Sequence, residues 1–474
     1  KWSSSIESKN IIKAYVKKSY SSDVEENDTS GANKPVLSNN MIPVYYDSVN
    51  DIWRKADSNN LDKKNKWYNY DTKKWANAVT VNSTNRNTYL SAKAGVEISM
   101  SDINTMWVWI PRYTYTYSST DTPEEIKIKF ESGTNSTGTI KCTDTATGVS
   151  SACIDCIDST SEKCTDTTNG SLIKKTSTYT HPAFTFGTQE LTGIWVGKFE
   201  VSSDIFCTAF SEATVGEGCN LQTIRPQIKP NVESWRGAQV GTFFNDINKM
   251  TESNNKYGFS TSDDTHMMKN MEWGAVAYLS HSKYGINKEV ALNSATTYTT
   301  GCGPQSEGSR SSGATCNSYT TTLGQSASTT GNITGIYDMS GGAYECVMGD
   351  ILYTKGQMIS GSKYSNSAFS GYFYDGVPFT GTYEFPESKY YDKYGYGHRN
   401  TEYTRGKLGD ATAEMFPTRS NKTWYSVSAQ FPAISSSWFM RGGGLDSNAG
   451  LFSFFSLTGD SSSYNSTRAV LATK

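Results

Sequence analysis

The chain lacks any run of about 18 apolar residues, so no segment of it is long and apolar enough to cross a bilayer as a helix. It also lacks a long basic block. Lys+Arg number 44 against 46 Asp+Glu, for a formal charge of -2, so nothing follows a phosphate backbone and nucleic acid is excluded as a partner. Histidine is scarce, with only His181, His266, His281 and His398. No GxSxG elbow, HExxH helix or GxxxxGK[ST] loop occurs, which removes the common signatures of hydrolases, zinc proteases and nucleotide-binding enzymes.

What is abundant is aromatic and polar. Aromatics make up 13% of the chain, and its 30 tyrosines stand among Ser, Thr, Asn and Gly, a mixture that suits short strands and long polar loops. At 474 residues the chain exceeds what one ordinary core serves, and two or three units are expected.

Eight of the nine cysteines fall in close local groups. Cys207 with Cys219, and Cys302 with Cys316, each close a loop among Gly, Ser and Thr, where a crosslink contributes about 3 kcal/mol by restricting the unfolded chain. Cys142, Cys153, Cys156 and Cys164 allow three pairings, among which the sequence does not choose. Zinc is the weaker reading of these four, because they contain a single CxxC with Asp and Thr neighbours in a loop-like stretch. Oxidised cysteines imply an exported protein. The opening at Lys1 and Trp2, without methionine, suggests that something upstream has been removed, and a leader or membrane helix is one expectation for it.

Along the chain, Ile6, Ile11, Ile12, Tyr15 and Val16 recur at helical spacing among Lys and Glu, so residues 1–35 are expected to form an amphipathic helix and a polar linker, a stalk. Residues 36–105 alternate aromatic and β-branched with polar residues and predict a small β-rich unit, with Trp67, Tyr68, Tyr70 and Trp75 as its core rather than a sugar-stacking platform. The apolar segments MWVWIPRYTYTY and GIWVGKFEVS predict strands bracketing a Thr/Ser/Cys-rich insertion. Helical intervals predict helices over Ser234–Met250 and Asn270–Ser282, and strands and loops from Gly285 onward. His266, beside Asp263 and Asp264, is read as an exposed helix cap rather than a metal ligand or base.

Five blocks occur in the order seen in formylglycine-generating-enzyme-like domains: GIWVGKFEVS, NMEWGAVAYLSHSKYG, GIYDMSGGAYECVMGD, FMRGGG and STRAVL. The chain from Met106 to Leu471 resembles that family, and the resemblance implies an α+β, C-type-lectin-like domain over 106–474, with insertions near 113–190 and 351–420. Arg441, Gly442 and Gly443 then serve the scaffold, the guanidinium reaching under a loop to backbone carbonyls. Glu345 is expected to pair with Arg441 or Arg468, and Cys346, where the family has Trp, to be a buried free thiol.

The family's oxidases need two copper-binding cysteines late in the domain, and Arg441–Arg468 contains neither Cys nor His. Iron-binding relatives use H-x-x-x-H-x-E, which no histidine pair here matches. The expectation is therefore a non-enzyme without cofactor; calcium is left open, with acids such as Asp375 and Asp410 as ligands or turn residues.

Non-catalytic relatives include variable proteins diversified by retroelements, which display changeable residues after the R-G-G block. By that likeness, and by the Tyr, Ser and Asn usage of binding loops, the expected ligand contacts are Leu445, Asp446, Ser447, Phe455, Leu457, Thr458, Ser461, Ser462, Ser463 and Tyr464, backed by Trp438 and Phe439. MIPVYYDS, KKWANAVTV and WVWIPRY are similar to segments of surface or pilin-like proteins of gut-dwelling Gram-positive bacteria. The expected function is that of an extracellular adhesin or pilus-tip-like protein on the bacterial surface, attached to membrane or filament upstream and binding a surface protein or glycan. A phage tail receptor-binding protein on a virion, or less favourably a metal-dependent oxidase, is the alternative.

Overall fold

The computed structural model describes residues 27–116, 122–138, 142–143, 150–151, 178–204, 224–352, 386–395, 409–412, 422–432, 436 and 438–474. The expected N-terminal helix, most of both insertions, Asp375, and the cysteines at 142, 153, 156, 164, 207 and 219 as crosslinks lie outside what can be described.

The protein is mixed α+β, mostly strand. In chain order, the elements that matter are β1 (Ile42–Asp47), β2 (Ile52–Lys55), β3 (Asn77–Val81), β4 (Ile103–Pro111), β5 (Tyr113–Thr116), β6 (Lys127–Phe130), β7 (Thr178–Thr180), β8 (Gly193–Gly197), α1 (Val240–Asn248), β9 (Asp264–Met267), α2 (Asn270–Ser280), β10 (Tyr344–Leu352), β11 (Asp392–Gly395), β12 (Trp438–Gly442), β13 (Gly450–Leu457), β14 (Asn465–Thr467) and β15 (Ala469–Ala472). The two helices fall inside the segments where helical spacing placed them, β5 and β8 fall inside the two apolar segments, and β4 begins three residues ahead of the first of these and runs into it.

Among the described residues, seven strands form one sheet in the order β9-β15-β8-β4-β3-β1-β2, every neighbouring pair antiparallel. The strands of residues 36–105 therefore do not close on themselves: β3 pairs with β4 from Asn77↔Val108 to Val81↔Ile103. The physical reason is in β3 itself. NAVTV is buried at all five positions, so it needs a neighbour on each edge and cover on both faces, which a small meander lacks. Trp67, Tyr68, Tyr70 and Trp75 are all buried, and Trp67 stacks on Trp195 of β8 with centroids 6.3 Å apart.

A second sheet runs β11-β10-β12-β13, with β14 parallel to β10. The chain changes sheets at one residue: β14 belongs to the second sheet, β15 to the first, and Arg468 lies between them. A smaller sheet has the order β6-β5-β7.

Helix α2 is buried along its entire length, which explains why NMEWGAVAYLS is apolar or small on every face. Its Glu272 accepts the backbone N–H of Lys269 at 2.8 Å, satisfying a donor at the helix start. Gly274 is there because of a close approach: a Cβ would lie 1.7 Å from the carbonyl oxygen of Gly409. Gly274→Ala is accordingly expected to destabilise the fold by about 2 kcal/mol or more, despite the better helix propensity of alanine. A urea midpoint equal to or above that of the parent protein would contradict this packing.

Candidate functional site

Two layers make the site: a buried ionic network and the surface it supports. At the sheet junction Arg468 is fully buried, and it binds both sheets at once. Its Nε donates to Glu345 Oε2 of β10 at 2.9 Å and its Nη2 to Glu345 Oε1. Its Nη1 donates to the Gly197 carbonyl of β8 at 2.7 Å, and Nη2 also to the Tyr337 carbonyl at 2.8 Å. Of the two partners expected for Glu345, Arg468 is the one it takes. Arg441 instead donates to Asn270 Oδ1 at 2.9 Å and to the carbonyls of Asp410 and Ala411 at 3.0 and 3.1 Å, the under-loop role. Gly442 and Gly443, both at positive φ, let the backbone turn directly after it.

Asp338 and Glu200 complete the network, both buried. Burial raises the Asp338 carboxyl above its ordinary range, against the pull of Arg468 and of the hydrogen bonds it accepts from Gly301 N–H at 2.8 Å and Asn293 Nδ2 at 2.9 Å. Glu200 accepts the Ala343 N–H at 3.0 Å. Burial, then the charges of Asp338 and Glu345, push the Glu200 carboxyl well above its ordinary range. Burial also raises Glu345, to about 7, against the pull of Arg468. Cys346, next in sequence, is a buried free thiol.

The surface above this network is the second sheet's β10-β12-β13 face. The register sets Met440 against both Cys346 and Phe455, and Trp438 against Leu457. Tyr344, two residues before Cys346, shares that face and meets Phe455 edge-on at 5.2 Å. Tyr344, Met440, Phe455 and Leu457 are all half-buried. The face continues into Tyr464, 58% exposed, whose carbonyl accepts the Tyr344 N–H at 2.9 Å and whose ring approaches Tyr298.

The loops beside the face are held by their backbones. The turn from Asp446 closes with Ala449 N–H on the Asp446 carbonyl at 3.1 Å and Asn448 N–H on its carboxylate at 2.8 Å. The loop at 459–464 is fixed from below: Arg236 donates to the Ser463 carbonyl at 2.6 Å, and Gly237 N–H to Ser462 at 2.9 Å. Arg236 itself lies over the Tyr298 ring, 4.2 Å from its centroid.

No family model matches this chain, and no curated protein does.

Of the expected contacts, Asp446, Ser447 and Tyr464 are exposed, and Leu445, Phe455, Leu457, Thr458, Ser461 and Ser462 are half-buried. Ser463 is buried at 9% exposure and contributes through its backbone. Trp438 and Phe439 are corrections: at 1% and 0% exposure neither meets a ligand. Phe439 is instead core, 4.7 Å from Tyr394 and 5.0 Å from Phe431. Along β13, Leu451 through Phe454 are buried on both faces and only Phe455–Leu457 emerge. Tyr344 and Met440 were not expected; they join the face only through pairing between strands distant in sequence, which no local pattern reports.

His266 differs too. It is not an exposed cap but a buried residue of β9, its Nε2 2.9 Å from Glu272 Oε1 and its Nδ1 3.3 Å from Asp264 Oδ1. Asp410 is a turn residue, its carboxylate taking the Thr412 N–H at 2.9 Å and the Tyr394 hydroxyl at 2.9 Å. Among the described residues no group of three His, Cys, Asp or Glu side chains is arranged to hold a metal ion.

Proposed function

We propose that this chain is an extracellular, surface-displayed binding protein, a non-catalytic member of the formylglycine-generating-enzyme-like, C-type-lectin-like group, that takes a protein or glycan on its C-terminal face. The observation that carries the reading is the run of half-exposed Tyr344, Met440, Phe455 and Leu457 beside the exposed Tyr464, on strands anchored by a buried ionic network. Aromatic and methionine side chains in such a setting offer contact area at low entropic cost, and the Ser, Asp and Asn residues around them offer hydrogen bonds. The Cys302–Cys316 disulfide supports an oxidising location. The absence of Cys and His from Arg441–Arg468 argues against a copper oxidase.

The test combines Phe455→Ser, Leu457→Ser and Tyr464→Ala, singly and together, with cell-binding and glycan-array measurements. Each central substitution is expected to weaken binding by about 2 kcal/mol, roughly thirtyfold, while the thermal midpoint changes little. Unaltered binding by the triple variant would remove this face as the site.

A further inference from the structure

The turn that carries Asp446 and Ser447 is held at its Asn448 end by Lys422 Nζ, which donates to Asn448 Oδ1, and by Ser428 N–H on the Asn448 carbonyl at 3.0 Å, while Arg310 grips the carbonyls of Ser447 and Ala449. Arg310 donates through Nε to the Ser447 carbonyl at 3.3 Å, through Nη2 to the Ala449 carbonyl, and through Nη1 to Glu289. Those two carbonyls flank the turn, so a planar fork reaching both fixes its orientation in a way a lysine point charge does not.

Arg310 itself has little local reason to be still. It sits in the loop from Pro304 to Cys316, in which Gln305–Gly308, Ser311, Ser312, Ala314 and Thr315 are exposed. No apolar side chain between Pro304 and Cys316 is buried to anchor it. What orders this loop is the Cys302–Cys316 disulfide across its base, the pairing of Cys302 with Ser318 and Gly303 with Asn317, and the docking of Gly313 on Ser294 and Thr296 at 2.9 and 3.0 Å.

We propose that Arg310 is a positioning residue that sets the shape of the ligand turn Leu445–Asn448, and that the Cys302–Cys316 crosslink is what holds Arg310 in place to do so. The disulfide thereby acts on the binding face at a distance, through a guanidinium and two backbone carbonyls. Its functional meaning rests on the binding face proposed above; the clamp itself is measurable without a ligand.

The experiment is amide hydrogen exchange by mass spectrometry on the full chain, comparing the parent protein with Arg310→Gln, Arg310→Lys and the double variant C302S/C316S. Peptides covering Leu445–Gly450 are expected to exchange about tenfold faster in R310Q and in C302S/C316S, with R310K between, while peptides of β4 stay protected. Unchanged exchange over 445–450 in R310Q, or equal acceleration in β4, overturns the clamp. Acceleration in R310Q but not in C302S/C316S overturns the role of the disulfide. If exchange accelerates as expected and binding to cells or glycans is unaffected, the clamp stands and the turn's part in ligand binding fails.

Discussion

Arg468→Met is expected to destabilise the protein by about 4 kcal/mol near pH 8, the largest loss predicted for a single side chain, because it removes the one cation paired with Glu345 among the described residues and leaves a carboxylate stranded in the interior. The carbonyls of Gly197 and Tyr337 lose their donor at the same time, so both sheets are affected. The loss should depend on pH with a definite sign. A buried acid whose native pKa is raised binds its proton more tightly folded than unfolded, so it favours the fold at low pH and costs stability as pH rises through the window between the two values. For Glu345 that window lies between its ordinary 4.5 and about 7 with Arg468 present, and removing the arginine extends it upward. The penalty in R468M should therefore shrink toward pH 5, where Glu345 protonates. Glu345→Gln in the R468M background should recover part of the loss at pH 8, since a neutral amide costs less to bury than a lone charge. Urea titrations followed by tryptophan fluorescence measure all three quantities. A loss in R468M below about 1 kcal/mol at pH 8 would mean the network is incidental to the union of the sheets.

The parts of the fold that were legible are those whose signal is local. Phe243, Phe244 and Ile247 recur at helical spacing because α1 is buried except along the stripe of Asn245 and Asn248, and α2 is mostly apolar or small because it is buried all round. The segments MWVWIP and GIWVG are continuous apolar runs because β4 and β8 are central strands covered on both faces. The joining of β1–β3 to that sheet was not legible, since only the complete burial of NAVTV hints that it needs neighbours on both sides, and a short apolar run gives no address for them. The Cys302–Cys316 loop was legible from spacing and composition alone, and the role of Arg310 within it was not, because the carbonyls it grips lie 137 and 139 residues away.

The site divides in the same way. Exposed polar loops announce themselves in composition, and Asp446, Ser447 and Tyr464 are where that composition pointed. The apolar half of the face depends on register. Phe455 is half-buried on the emerging end of β13, and its neighbours Met440 and Tyr344 come from two other strands and belong to the face only because Met440 pairs with Phe455 and Cys346 with Met440. Trp438 and Phe439 were misplaced because an aromatic pair at a strand start looks the same in sequence whether it faces solvent or core.

His266 supplies the second large effect, and it runs opposite to the first in chemistry while sharing its logic. Its ring is buried, stacked on Phe186 at 4.6 Å with an interplanar angle of 14°. Burial by itself drives an imidazole toward neutrality, but the charge of Glu272 and hydrogen bonds to Asp264 and Glu272 more than offset it and raise His266 to about 9. Both ring nitrogens face carboxylate oxygens, so only the doubly protonated ring satisfies both. The acids are further surrounded by Lys269, 3.9 Å from Glu272, and by Lys389 and the Tyr390 hydroxyl, 3.4 and 2.8 Å from Asp264. With the folded value above the ordinary 6.5, the stability from this ring is fully present below pH 6.5 and is lost as pH rises through about 9. The shift corresponds to about 3 kcal/mol. His266→Gln is expected to lower stability by about that amount at pH 6 and by much less at pH 10, flattening the decline seen in the parent protein between pH 7 and 10. Urea midpoints at those pH values check it. Parallel curves for the two proteins across that range would show that the ring carries no charge, and that Glu272 is held in place by Lys269 and the helix start alone.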